Sequence, residues 1–414
     1  VTRAPGPDGH RAPRPAVDTG SVRAVNLSRV LAAALAQEEP PTRADLAAAT
    51  STTRATATRL VDELVAHGVL VEAAPDAERP RRPGRPGIPL QPGTRHVALG
   101  LQVEVSHLTA VVVDLAGTVR ARRRVEDDLR GSDAEPVLAR LGALAEHVLS
   151  DLPSGTVVVG TGLAVPGLVA EGGMLLRAPN LGWSDVAVAA LFPPPAGTGP
   201  PTVGNEADLA AVTVSSTAPG RPGAHPDFLY LSGATGIGGS IVLDGHPLTG
   251  RHGWAGEVGH VTVDPDGPPC ACGSTGCLEQ YAGSRALASA AGLDPSAGTS
   301  AIAAAARSGE PAAIAAVERA GTALGVALAV VVNVLDVPVI VLGGHLREIG
   351  ELVRPVLEDT LARRVLSAGW VAPRVEVAPA HATAALGAAY TELHRLVTDP
   401  RPWLTGPVTS REAR

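Results

Sequence analysis

The sequence predicts an α/β protein in two parts, a winged helix-turn-helix on the N-terminal side and a larger two-lobed body. Three observations predict it. Before residue 70, apolar residues recur at helical spacing in short runs broken by a three-residue turn. From Thr94 onward, apolar strand-like runs alternate with long helical patterns, and the arrangement occurs twice. All three cysteines, Cys270, Cys272 and Cys277, fall within eight positions, with His260 ten residues upstream.

Residues 1–20, rich in Pro and Gly, read as a disordered arm. A helix-turn-helix domain is expected over 21–78. Leu27, Val30, Leu31, Ala34 and Leu35 mark one face of a helix that Pro40 and Pro41 stop. Thr42 suits the N-cap of a short helix, Arg43 to Ala49. Thr50, Ser51 and Thr52 form a turn before a helix over roughly Thr53 to His67, which Gly68 ends. Val69 to Val71 reads as a short strand. Two helices across a tight turn, a strand and a basic loop make a winged helix-turn-helix. Its second helix would enter a DNA major groove N-terminus first, bringing Thr52, Thr53, Arg54, Thr56 and Arg59 nearest the DNA. An ordinary helical hairpin has the same periodicity, but the compact turn and the basic loop favour DNA.

That loop, within a wing or linker over 79–93, interleaves arginines with prolines. Proline keeps it extended, so Arg81, Arg82 and Arg85 suit a narrow minor groove. A plain interdomain linker with solvated charges is the competing reading, and both can hold together. Charge supports the division. Residues 1–96 carry thirteen arginines against ten acidic residues, whereas the whole chain has a net charge of −7. A basic head on an acidic body suits nucleic acid at one end and a small molecule at the other.

The first lobe is expected over 94–225. Val97–Val103, Ser106–Asp114 and Val119–Val125 read as a meander, followed by a helix at Glu135–Ser150 and a continuous buried strand at Thr156–Val165. The second lobe, over 226–380, has strands at Phe228–Ser232 and Ser240–Leu243. A long helix near Ala312–Leu335, a strand at Val339–Leu342, a helix at Leu346–Val365 and a strand at Val375–Val377 follow. A helix at Thr383–Thr398, within 381–398, would return to the first lobe, leaving 399–414 as a tail. The cleft between such lobes is the default ligand site. The apolar run Ala323–Val332 is short for a bilayer, and the first 20 residues lack an apolar core. A cytoplasmic protein without a membrane partner is expected, which agrees with reduced thiols.

Three thiolates and one imidazole make a closed Cys₃His shell, the usual stoichiometry of a structural zinc site. A disulfide with one thiol left over is the alternative. Cys270 and Cys272 are too close in sequence to bridge comfortably, and an odd count argues against an oxidised framework.

The stretch Gly256–Glu279 reads G-E-V-G-H, then C-A-C-G and G-C-L-E. With Val165-Pro166-Gly167, Ala178–Trp183, Gly204–Asp208, Ala234–Gly239 and Val341–Gly344, it resembles the ROK family of repressors and sugar kinases. The resemblance covers about residues 22–398. It implies an actin-like, RNase H-like body, a homodimer or dimer of dimers, and an N-terminal module that binds operator DNA. It also implies sugar contacts from Gly167, Asn180, Asn205, Glu206, Glu257, His260 and Glu279, with zinc held by His260, Cys270, Cys272 and Cys277. His260 would then serve twice, one ring nitrogen on the metal and one on the sugar.

The family's kinases carry D-x-G-G-T-K in the first hairpin, where this chain has Gln102-Val103-Glu104-Val105-Ser106-His107. Glu104 would put an anion where phosphates belong, and Val105 would block close backbone approach. The kinases' N-D is Asn205-Glu206 here, one methylene longer at the base position; Asp208 reads as a helix-start charge rather than a base. A second glycine-rich loop, Gly236–Gly239, is retained. The expectation is a regulator, a repressor of carbohydrate-utilisation genes, that senses a small sugar or sugar phosphate through a degenerate kinase body. An active ATP-dependent hexose kinase with an appended DNA-binding domain is the alternative.

Overall fold

The computed structural model describes residues 19–74, 87–233 and 236–404. The expected arm and most of the arginine-proline loop, with Arg81, Arg82 and Arg85, lie outside the described residues.

The head comprises helices α1 (Thr19–Ala36), α2 (Arg43–Ala49) and α3 (Arg54–Ala66) and an antiparallel pair, β1 (Leu70–Glu72) and β2 (Leu90–Pro92). Local chemistry explains each boundary. Thr42 and Asp45 form a reciprocal capping box at α2, with Asp45 N donating to Thr42 Oγ1 at 3.3 Å and Thr42 N to Asp45 Oδ2 at 3.0 Å. Thr53 caps α3 by accepting from Thr56 N at 3.2 Å. Gly68, with φ +71°, ends α3 and turns the chain into β1.

The body holds two five-stranded sheets of the same plan. The first is built from β3 (His96–Glu104), β4 (His107–Asp114), β5 (Val119–Glu126), β6 (Val157–Val165) and β10 (Thr202–Asn205), in the order β10-β6-β3-β4-β5. Helix α4 (Ala134–Ser150) covers one face. A three-stranded sheet follows β6, comprising β7 (Leu168–Ala170), β8 (Met174–Ala178) and β9 (Trp183–Ala187), then a short helix α5 (Val188–Leu191). After β10 come α6 (Glu206–Ser215) and a small pair, β11 (Ser216–Ala218) and β12 (Arg221–Pro222). The second sheet orders β15 (His246–Pro247), β14 (Ile237–Leu243), β13 (Phe228–Gly233), β16 (Val339–Leu342) and β17 (Arg374–Val377). Its helices are α7 (Glu279–Ala282), α8 (Ser284–Ala290), α9 (Thr299–Arg307), α10 (Pro311–Leu335) and α11 (Leu346–Arg364), and the last helix, α12 (Ala384–Thr398), returns to the first sheet. In each sheet an antiparallel meander is extended by two parallel strands.

Most expected elements lie within two residues of their observed bounds. Strand β6 differs in character: Val157 to Gly160 are only half-buried. The reason is register, because β10 pairs with β6 only from Gly162 to Val165, leaving the first half open on that side. The small sheet β7–β9 and helices α7 to α9 were not anticipated, and of α6 only a helix start at Asp208 was. Helix α10 is by length and composition able to cross a bilayer, but Ala316, Leu324 and Leu328 on it belong to the second lobe's apolar core.

Helix α12 joins the parts. Its Ala385, Leu393, Leu396 and Val397 share one apolar cluster with Leu27, Leu31 and Leu35 of α1, and with Ala98 and Val111 of the first sheet. Burying each large side chain there stabilises the contact by about 1.5–3 kcal/mol. Ser28 Oγ also donates to Val397 O at 3.0 Å, and Arg221 Nη2 to Gln37 O at 3.0 Å. On its other side α12 crosses α6 so closely that a Cβ at Gly387 would lie 1.6 Å from Leu209 O. The head is therefore docked on the body through α1.

Candidate functional site

The two lobes enclose two adjoining cavities. The smaller, about 80 Å³, is lined by every residue assigned to sugar from the sequence: Gly167, Asn180, Asn205 and Glu206 from one side, Glu257, His260 and Glu279 from the other. The larger, about 790 Å³, opens between the β3–β4 hairpin and the α8–α9 and His345 regions. Glu104, Val105 and Glu206 line both.

Backbone geometry positions the small cavity's side chains. Asn205 ends β10 and caps α6: its Oδ1 accepts from Ala207 N at 2.7 Å and Asp208 N at 3.3 Å. Its Nδ2 donates to Gly167 O at 2.9 Å, so one amide hydrogen remains for a ligand. Asn180 sits at the β8–β9 turn. Glu279 Oε2 accepts from Ile237 N at 3.2 Å. A Cβ at 236 would lie 1.9 Å from that carboxylate oxygen, so any side chain there would push the Glu279 carboxylate aside. Part of the glycine-rich segment is not a free phosphate cradle: the Ile237 amide is occupied, and Gly238 and Gly239 are ladder residues opposite Ser232 and Leu231.

The first hairpin is closed upon itself. Val105 and Ser106 form the tight turn between β3 and β4, and Glu104 stands opposite His107. Glu104 Oε2 accepts from Ser106 N at 3.3 Å and Ser106 Oγ at 2.5 Å, and lies 3.0 Å from His107 Nδ1. Burial alone would raise the Glu104 pKa, but the His107 and Ser106 contacts outweigh it and hold the carboxyl below its usual range. Glu206 behaves oppositely. Burial, reinforced by the Glu104 anion, pushes it up to about 8. Asp208, buried near Glu257, is pushed up to about 6, mainly by burial. The sequence placed Glu104 only in a phosphate loop; its presence in the wall of the small cavity follows from the two-residue turn, which folds the carboxylate back.

A candidate metal centre borders the small cavity. The donor atoms of His260, Cys270, Cys272 and Cys277 all lie within 4.8 Å of one another. Cys270 Sγ is 3.8 Å from His260 Nδ1, and Cys272 Sγ is 3.7 Å from Cys277 Sγ. Tetrahedral coordination with Zn–S near 2.3 Å requires sulfur–sulfur edges of about 3.8 Å. The set therefore fits a metal ion such as zinc, and the sulfur separation is far beyond a disulfide bond of about 2.05 Å. A knuckle aims the ligands: bridges Thr262↔Cys277 and Pro269↔Thr275 close it, and Gly273 and Gly276 take φ +100° and +62°. His260 Nε2 points the other way, 3.9 Å from Glu257 Oε2 and toward the cavity.

At the head, Thr53, Arg54 and Arg59 are exposed at the start of α3, with Thr56 partly so. Arg54 and Arg59 have no ion-pair partner among the described residues. Thr52 and Thr53 are less free: Thr52 Oγ1 lies 3.0 Å from Thr50 Oγ1, and Thr53 is spent on capping.

The ROK sequence profile matches residues 98–394, most of the chain. The chain belongs to the ROK family. This ROK chain is 28% identical over 342 residues to the xylose repressor of Caldicellulosiruptor bescii, covering 78% of this chain and 84% of that one. A solved ROK family transcriptional regulator, described as a homolog of the E. coli MLC protein, superposes with TM-score 0.73 at 25% identity, over 93% of this chain and 100% of that one. The ROK hexokinase of Thermus thermophilus superposes with TM-score 0.58 at 31% identity, over 71% of this chain and 97% of that one. The regulator likeness thus extends over almost all of the ROK chain, and the kinase likeness over a smaller part.

Proposed function

We propose that this chain is a sugar-responsive DNA-binding regulator, a repressor of carbohydrate-utilisation genes, whose body senses sugar without phosphorylating it. Glu104 carries the reading. Phosphoryl transfer is catalysed by positioning and by neutralising charge on the phosphates. A carboxylate pinned by His107 and Ser106 in the wall shared by the two cavities does the reverse. The wall of the small cavity, meanwhile, retains amide, carboxyl and imidazole groups able to grip vicinal hydroxyls. The similarity to a protein named xylose repressor supports a pentose or related aldose as effector.

Zinc held by His260, Cys270, Cys272 and Cys277 would order the loop that carries Glu257 and Glu279. When bound it supplies rigidity, since four protein ligands leave no open position for Lewis-acid chemistry. DNA contact belongs to Thr52, Thr53, Arg54, Thr56 and Arg59, joined by Arg81, Arg82 and Arg85 of the wing. A homodimer presents two heads to a palindromic operator. Coupling runs from Asn205 and Glu206 at the start of α6, across the α6–α12 crossing, to α1 under the head. Sugar alters DNA binding only if it binds the two head arrangements unequally.

Two measurements test this. Duplexes selected from a random library by the protein should be released, or bound more tightly, on adding aldoses. With ATP, magnesium and the same aldoses, no turnover should occur. Turnover at about 1–100 s⁻¹, ordinary for kinases, would make the chain a hexose kinase with a DNA-binding head instead.

A further inference from the structure

We infer that the effector is an unphosphorylated sugar, and that Glu104 and Glu206 form the partition that turns phosphorylated sugars away. This rests on the sugar-effector reading above and narrows it.

The small cavity is lined by four glutamates, Glu104, Glu206, Glu257 and Glu279. No arginine lines it among the described residues, and the chain has no lysine. A phosphoryl group carries about −1.5 to −2 charges near neutral pH and needs guanidinium, ammonium or unpaired backbone amides. Three backbone amides that could serve are already taken. The start of α6 would be a ready anion site, but the Ala207 and Asp208 amides donate to Asn205 Oδ1. The Ile237 amide donates to Glu279. Arg177 reaches the rim, where it donates to Ala271 O at 3.1 Å, but it does not line the cavity.

The arginines Arg124, Arg130 and Arg285 line the large cleft instead, and a phosphate on a sugar ring seated in the small cavity meets them only by projecting past the residues shared by the two cavities. Glu104, Val105 and Glu206 stand between the two. Glu104 supplies charge, and its contacts to His107 and to both Ser106 groups keep it from swinging aside. Glu206 supplies bulk. Neutral hydroxyls face no such conflict, because each can donate to a carboxylate.

The test is calorimetric titration of the full-length, zinc-loaded protein. D-glucose, D-mannose, D-galactose and N-acetyl-D-glucosamine, whose pyranose rings survive phosphorylation at O6, are each compared with the corresponding 6-phosphate, and D-xylose is titrated alone. The free form of at least one sugar should bind at least about 100-fold more tightly than its phosphate, the scale of one like-charge contact at protein-surface dielectric. In Glu104→Gln, with folding checked by its melting curve, that ratio should narrow by about tenfold or more. A phosphate binding as tightly as its free sugar, or more tightly, overturns the inference while leaving sugar sensing intact. An unchanged ratio in Glu104→Gln overturns the assignment to the partition. If neither D-xylose nor any member of a pair binds, the sugar-effector reading fails and takes this inference with it.

Discussion

Glu206→Gln should make the protein more stable at alkaline pH and leave its acid-side stability unchanged. Glu206 opens α6 and faces the Glu104 carboxylate, and its pKa rises from 4.5 to about 8, first through burial and then through that anion. In the unfolded chain it titrates near 4.5. Between those values the folded protein holds a proton that the unfolded chain has lost. The stability this contributes is complete below pH 4.5 and is lost as pH rises through about 8. At about 1.4 kcal/mol per pH unit, the loss reaches at most about 5 kcal/mol. Glutamine has the shape of the protonated acid and never ionises, so the variant escapes the loss. Urea unfolding of both proteins at pH 5, 7 and 9 measures this. The free-energy difference should be small at pH 5 and grow to a few kcal/mol in the variant's favour at pH 9. A difference that stays flat across that range would mean that Glu206 ionises as it does in water. The charge argument linking it to Glu104 would then fall.

Cys272→Ser should lower bound zinc well below one per chain by elemental analysis, lower the melting temperature and abolish the sugar response; a full complement of zinc would refute the metal assignment. Leu31→Ala should destabilise the chain by about 2–5 kcal/mol in denaturant, because Leu31 lies in the cluster that joins head to body. Gly236→Ala should weaken sugar binding at least tenfold in titration while zinc content is unchanged, since its Cβ would displace the Glu279 carboxylate. Arg54→Ala should weaken DNA binding in gel shifts and leave sugar affinity alone, and if Arg54 meets a phosphate the salt slope should fall by about one.

The sequence alone determined whatever depends on local pattern and on motif. Periodicity located the helices of the head, since Thr42, Thr53 and Gly68 act on their own neighbours. The cysteine spacing marked the candidate metal centre, because three of its four donor residues lie in one hairpin. The ROK motifs supplied the small cavity's residues from distant parts of the chain, although spacing could not say that they meet. Of the alanine-rich α6 the sequence marked only the start, at Asp208, because EADLAAVTVS has little amphipathic contrast and its helicity depends on the Asn205 cap and on packing against α12. Only the tertiary structure decided the rest. Register exposed half of β6, and docking put α1 and α12 in one core. Folding the β3–β4 hairpin brought Glu104 against Glu206, residues 102 positions apart whose charges interact only once both leave water. Electrostatic coupling and burial are properties of distance and solvent access, and the chain acquires both only when it folds.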